Sequence, residues 1–158
     1  MFKRAVVPLD GSPVAETILP FILEIAGPLD MEVVLLRVVQ PTPPVVIEGS
    51  RHVVVEDVEA RRIDALEYLA PLAVELRGKA VRVETSVRRG EPVEEILAEA
   101  RETGADLIAM STHGWSSLGR LVFGSVAEAV LRHADISVFL MRATEAQVRR
   151  RAAREAVR

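Results

Sequence analysis

The chain of 158 residues contains no cysteine, which excludes disulfides and thiolate metal sites and leaves the redox compartment open. Aromatic residues make up only 4% of it, with Trp115 the single tryptophan. Lysine is confined to Lys3 and Lys79, so the positive charge is carried by arginine. The three histidines, His52, His113 and His133, are too scattered to suggest a metal cluster. No apolar run reaches the length of a membrane span, and the N-terminus lacks an apolar core followed by a small-residue cleavage site. The G-x-x-x-x-G-K-[ST] phosphate loop is missing as well. A formal net charge of −3 gives no whole-molecule pull toward nucleic acid or anionic lipid. The expectation is a cytoplasmic protein with no membrane contact and no nucleic-acid partner.

Hydrophobic residues at 49% and charged residues at 27% are those of an ordinary globular protein, and the length fits one domain with a sizeable core. Ala5-Val6-Val7-Pro8-Leu9 is a short apolar run without alternation, as in a strand covered on both faces. Pro8 cannot donate to a ladder, so it marks the outward end of that strand. Ser12 is a good N-cap and Pro13 suits the first helical position. The helix they start runs to about Ala26, bent by Pro20 and stopped by Gly27-Pro28. A second doubly covered strand spans Met31 to Val39, and the stretch from Gln40 to about Val55 reads as a long loop. Helical spacing follows from about Glu56 to Arg77, with a kink expected at Pro71.

Val81, Val83, Thr85 and Val87 alternate with Arg82, Glu84, Ser86 and Arg88, the mark of an edge strand with one polar face. A helix from Gly90-Glu91-Pro92 to about Thr103 carries Glu94 and Glu95 in its favourable first turn. Strand four spans Leu107 to Ser111, a helix runs from Ser125 to about Arg132, and strand five covers Ile136 to Met141. Strands alternating with helices give an α/β fold with a mostly parallel five-stranded sheet and helices on both faces. Placing the doubly covered strands centrally and the alternating one at an edge gives the order 3-2-1-4-5. The chain then reverses between strands one and four, and ligands of such sheets bind at the carboxyl ends flanking the reversal. Those ends are Leu9-Asp10-Gly11 and Ser111 to Gly114.

From Met110 the chain enters a segment bracketed by Gly114 and Gly124 and ends at Ser125, which makes an S-x-x-E capping box with Glu128. A strand, a glycine-bracketed loop and a helix N-terminus form an anion site, most often for phosphate. The alternative is an ordinary βα connection. Gly114, nine residues, then Gly124-Ser125 resembles the G-x2-G-x9-G-[ST] motif of ATP-binding members of the universal stress protein family. The resemblance also covers Val7-Pro8-Leu9-Asp10-Gly11-Ser12, Leu35-Leu36-Arg37-Val38 and Gly124-Ser125-Val126-Ala127-Glu128, and it extends over a domain of residues 1–142. It implies a Rossmann-like fold of the adenine nucleotide α-hydrolase type, with ATP, carried with magnesium, as cofactor. By the same resemblance Pro8, Leu9, Asp10 and Val38 would lie near adenine and ribose, and Met110, Ser111 and Gly114 near ribose and phosphates. Gly124, Ser125 and the Val126 N–H would hold the phosphates.

The chain departs from that motif at two positions. Ser111 stands in place of the first glycine, and Trp115 stands where a basic residue is common, which leaves Arg120 as the nearest cation. Asp10 is the candidate magnesium ligand, with a turn residue ahead of Gly11 as its alternative. His113 could contact a water or pack within the loop, and Trp115 could stack on a base or meet a partner. With both lysines outside the motif, no catalytic residue is assigned, and slow hydrolysis is the most that is expected. Residues 143–158, rich in arginine at 149, 150, 151, 154 and 158, read as a helix with a solvated face or as a tail. Strand five is an edge expected to pair with a second copy, giving a homodimer through residues 136–141. Two functions follow: an ATP-responsive regulatory dimer in stress response, or a dimeric interaction module with a vestigial site.

Overall fold

A computed structural model describes residues 1–42, 45–46, 53–54, 57–112 and 124–157. The first half contains β1 (Arg4–Pro8), α1 (Pro13–Glu16), α2 (Ile18–Ala26), β2 (Glu32–Val39), β3 (Val45–Val46), β4 (Val53–Val54) and α3 (Val58–Arg77). The second contains β5 (Val83–Arg89), α4 (Pro92–Glu102), β6 (Leu107–Thr112), α5 (Ser125–His133), β7 (Ser137–Arg142) and α6 (Glu145–Glu155). Five strands form one sheet in the order β5-β2-β1-β6-β7, every neighbouring pair parallel. Numbered within that sheet alone the order is 3-2-1-4-5, as the burial pattern of the sequence predicts. None of the described helices is long and apolar enough to cross a membrane.

The two faces of the sheet build two cores. Ala5, Val7, Val33 and Leu35 point to one side and pack with Ile18, Ile22, Leu69 and Leu72 of α2 and α3. Val6, Val34, Leu36 and Ile108 point to the other and meet Ile96 of α4 and Val130 of α5. Successive strand residues face opposite sides, so a strand buried on both must be apolar at every position, which is why β1, β2 and β6 show no alternation. On β5 the polar positions reach solvent or an arginine cluster: Arg88 donates to Glu95, Glu99 and Glu102 of α4 at 2.6, 3.0 and 2.8 Å.

Three local expectations are corrected. The first helix is not one bent helix but two, α1 and α2, with Thr17 between them. Pro20 lacks an N–H and its ring collides with the carbonyl four residues back, that of Glu16, so the chain restarts. The stretch between β2 and α3 is not all loop, since β3 and β4 pair antiparallel through Val45↔Val54 and Val46↔Val53. Ser125 is not an N-cap: Gly124 holds that position, with no side-chain cap, and Ser125 is the first residue of α5. Pro71 lies inside α3, and the helix continues through it to Arg77.

The arginine-rich terminus is a helix with a mostly exposed face, on which Arg149, Arg150 and Arg154 lie as expected, and the departure is at Arg151. Thr144 and Gln147 form a capping box that starts α6, and α6 lies against α1. Its Arg151 is only 4% exposed. The Arg151 Nε donates to the fully buried Glu16 at 2.5 Å, and its two terminal nitrogens donate to Glu75 at 3.2 Å each. Burial alone would lower the Arg151 pKa, and the carboxylates of Glu75 and Glu16 outweigh it to raise it. Tyr68 completes the cluster, its hydroxyl donating to Glu16 at 3.0 Å.

Burial and the adjacent Glu16 carboxylate raise the Tyr68 pKa well above its ordinary value of 10. Raised in the folded state, it contributes stability that is complete below pH of about 10 and is lost as pH rises further. Because the sequence has one tyrosine, its ionisation can be followed by tyrosinate absorbance alone. The expected result is no tyrosinate signal on alkaline titration until the protein unfolds cooperatively. A simple ionisation curve centred near pH 10, with the fold intact, would contradict this placement.

Candidate functional site

The reversal of the sheet lies between β1 and β6, and Pro8 helps to open it. The Leu9 N–H donates to the Leu36 carbonyl on β2 at 2.8 Å. Alternate residues of a parallel strand bond to opposite neighbours, so the position of Pro8 faces β6 and offers no donor there. The β1–β6 register accordingly stops at Val6↔Ile108, while β1–β2 pairing continues to Pro8↔Leu36. Beyond that point the strand tips diverge around a cleft of about 340 Å³, bounded by the ends of β1, β2 and β6 and the start of α5. That size lies in the range of small-molecule sites, roughly 300–1,000 Å³.

On the β1 side, Asp10 caps its own turn. Its Oδ1 accepts the Ser12 N–H at 2.9 Å and the Ser12 hydroxyl at 2.6 Å, and Ser12 Oγ accepts the Ala15 N–H at 3.2 Å. The other Asp10 oxygen has no hydrogen-bond partner among the described residues, and the side chain is exposed. Gly11 between them has φ +88°, a left-handed conformation that favours glycine. Arg37 of β2 brings a cation to the same mouth. It donates to the Leu9 carbonyl at 3.4 Å and its guanidinium lies over the Tyr68 ring, 5.8 Å from the centroid.

On the β6 side, Met110, Ser111 and Thr112 line the cleft. Ser111 Oγ is 2.9 Å from Thr17 Oγ1, which in turn donates to the Val14 carbonyl at 2.6 Å. The far wall is the start of α5. Its first intrahelical bond runs from the Glu128 N–H to the Gly124 carbonyl, so the amides of Ser125, Val126 and Ala127 precede the helical ladder. With glycine at the cap and no side-chain acceptor for them among the described residues, these donors and the positive end of the helix dipole face the cleft. A Cβ placed on Gly124 would meet no described atom within 4 Å.

Pro8, Leu9, Asp10, Val38, Met110, Ser111, Gly124, Ser125 and Val126, the candidates read from the sequence, all line this one cleft. Gly114 lies outside the described residues, as do His113, Trp115 and Arg120. Sequence reasoning passed over Arg37 and Thr17. Arg37 left a signal, being the one charged residue in the otherwise apolar run 33–39. Thr17 left none, because its partner is 94 residues away. Among the described residues that line the cleft, Asp10 is the single carboxylate.

Known proteins agree with this architecture. A universal stress protein from Methanocaldococcus jannaschii is 33% identical over 144 residues, covering 90% of this chain and 83% of its own. The solved universal stress protein from Archaeoglobus fulgidus superposes with a TM-score of 0.69 at 26% identity, covering 89% of this chain and 98% of its own. A family member from Arabidopsis thaliana, solved with AMP bound, has a TM-score of 0.63 at 20% identity, covering 92% and 94%. Residues 1–142 match the model of the universal stress protein family, and the chain belongs to that family.

Proposed function

We propose that this protein binds an adenine nucleotide, ATP carried with magnesium, across the cleft and acts as a nucleotide-responsive regulatory dimer in stress response. The observation that carries the reading is the uncapped N-terminus of α5, opening with Gly124 and Ser125 on a cleft at the reversal of the sheet. Phosphates suit that wall, where backbone amides without a partner among the described residues and the helix dipole favour negative charge. Base and sugar suit the opposite wall, formed by the tips of β1 and β2 with the buried Met110 behind them. The second oxygen of Asp10 is one ligand for a magnesium ion arriving with the phosphates, since Mg2+ typically takes one or two carboxylates and completes its shell with phosphate and water. The AMP held by the Arabidopsis thaliana protein of this fold supports the ligand class.

The Ser111 hydroxyl is directed to Thr17 beside a cleft of about 340 Å³, which supports the binding reading over that of an interaction module with a vestigial site. β7 has one neighbour in the sheet, and its outer edge is suited to a second copy, giving a homodimer. The Ala143 N–H donates to the Thr112 carbonyl at 3.0 Å, so the end of β7 is fastened beside the cleft and is placed to report occupancy. A cytoplasmic location suits such a ligand. A mass measurement in solution is expected to give a dimer at micromolar concentration, and monomer alone would contradict the assembly.

Thermal unfolding tests the ligand. A ligand at 100 times its Kd stabilises by about 2.7 kcal/mol. For a chain of this size that raises Tm by about 5–10 °C. ATP with magnesium is expected to give this rise, while inorganic phosphate at equal concentration gives less than about 1 °C. Equal and small responses to both would remove the nucleotide reading.

A further inference from the structure

We infer that α6 is a clasp on the cleft: docked through Arg151 it positions the Arg37 cation at the mouth, and released it weakens the hold on an anionic ligand. The inference rests on the nucleotide reading above and adds the regulation of that site. The helix lies beyond residues 1–142, the stretch that matches the family, so the clasp is a feature of this chain's extension. The contacts run in one line from α6 to the mouth. Arg151, buried, donates to Glu16 at the end of α1 at 2.5 Å. The other Glu16 oxygen accepts the Tyr68 hydroxyl of α3 at 3.0 Å. The Tyr68 ring carries the Arg37 guanidinium, which in turn donates to the Leu9 carbonyl. A Cβ built on Gly11 would lie 3.7 Å from Arg37 Nη2, so the cation stands against the turn that carries Asp10.

Arg37 is the single cation among the described residues that line the cleft, so its position bears on any anion that enters. Its support depends on α6. Glu16 is fully buried, and a carboxylate so placed does not remain without a countercharge. Once Arg151 leaves, Glu16 must turn toward water, and the Tyr68 hydroxyl loses its fixed acceptor. The ring beneath Arg37 is then free to move. Arg151 and Tyr68 are thus positioning residues, acting on the ligand through Arg37. The same docking braces α1, whose Val14 and Ala15 line the cleft on one side while α6 packs on the other.

The test is calorimetric titration of the full chain with ATP and magnesium, at a temperature where every variant is folded. Arg151→Ala is expected to weaken ATP about tenfold, within the usual range for coupled sites. In a Tyr68→Phe background, where the tie to Glu16 is already cut and the ring is kept, the same substitution should change affinity by less than about twofold. Glu16→Leu with Arg151→Met separates position from stability. It leaves no unpaired charge but removes the Tyr68 acceptor, so its ATP affinity should stay about tenfold weaker while its stability recovers. Reciprocity supplies a measurement that needs no variant: saturating ATP should slow amide hydrogen exchange in α6 by about the same tenfold factor. Unchanged affinity in Arg151→Ala, equal losses in both backgrounds, affinity that returns with stability in the joint variant, or α6 exchange indifferent to ATP would each overturn the clasp and leave nucleotide binding standing. Absence of ATP binding to the wild type would overturn the nucleotide reading and the clasp with it.

Discussion

Replacing Arg151 with alanine is expected to lower the unfolding free energy by about 3 kcal/mol or more, the usual cost of removing one partner from a buried ion pair. In the native protein Arg151 is 4% exposed and Glu16 fully buried. The guanidinium supplies Glu16 with a 2.5 Å bond and holds Glu75 with two more. Without it the Glu16 carboxylate keeps the Tyr68 hydroxyl bond and loses the countercharge that Arg151 supplies. For a chain of this length the loss corresponds to a Tm drop of about 6–12 °C. Arg151→Lys should fall between, because an ammonium cannot present a planar fork to two carboxylates at once. Joint replacement, Glu16→Leu with Arg151→Met, should recover most of the loss, since it leaves no unpaired charge. Equilibrium denaturant unfolding checks all three. A change below about 0.5 kcal/mol for Arg151→Ala is the behaviour of a solvated helix face and would contradict the docked arrangement of α6.

The second large effect separates binding from folding. Gly124→Val should weaken ATP binding by about 100-fold or more, which is about 2.7 kcal/mol, and cost only about 1 kcal/mol of stability through the poorer N-cap. Gly124 has φ −55° and ψ 143°, values that valine adopts, and a Cβ there meets no described atom within 4 Å. Nothing among the described residues therefore requires glycine there. The new side chain would stand where an anion must approach the amides of Ser125 and Val126. Calorimetric affinity and thermal unfolding measured on the same preparation give the two numbers. A variant that binds ATP as tightly as the wild type would place the phosphates elsewhere.

The sheet order was legible because burial on two faces leaves a distinctive mark. Runs such as Val33-Val34-Leu35-Leu36 feed both cores, and the alternation across residues 81–88 betrays an edge. The cleft followed from that order, because a reversal fixes where strand tips part. What stayed hidden depends on partners distant in sequence or on competition at one residue. Arg151 reads as one more solvated arginine among alanines, since the Glu16 that buries it lies 135 residues away. The Ser111–Thr17 contact spans 94 residues and is invisible to any local pattern. At the start of α5, Ser125 had the better capping chemistry, yet Gly124 takes the cap position. Local propensity lost there to the path of the chain. The first helix broke because the clash of Pro20 with the Glu16 carbonyl outweighed a continuous apolar stripe.

The most direct test of the account is calorimetric titration of nucleotide-free protein with ATP and magnesium, run beside AMP. Saturable binding of ATP at micromolar Kd, tighter than that of AMP and lost in Gly124→Val, is the expected result, because the α5 amides contribute only where phosphates reach them. No heat with either nucleotide at high protein concentration would mean that the cleft is structural and that function lies in a protein partner.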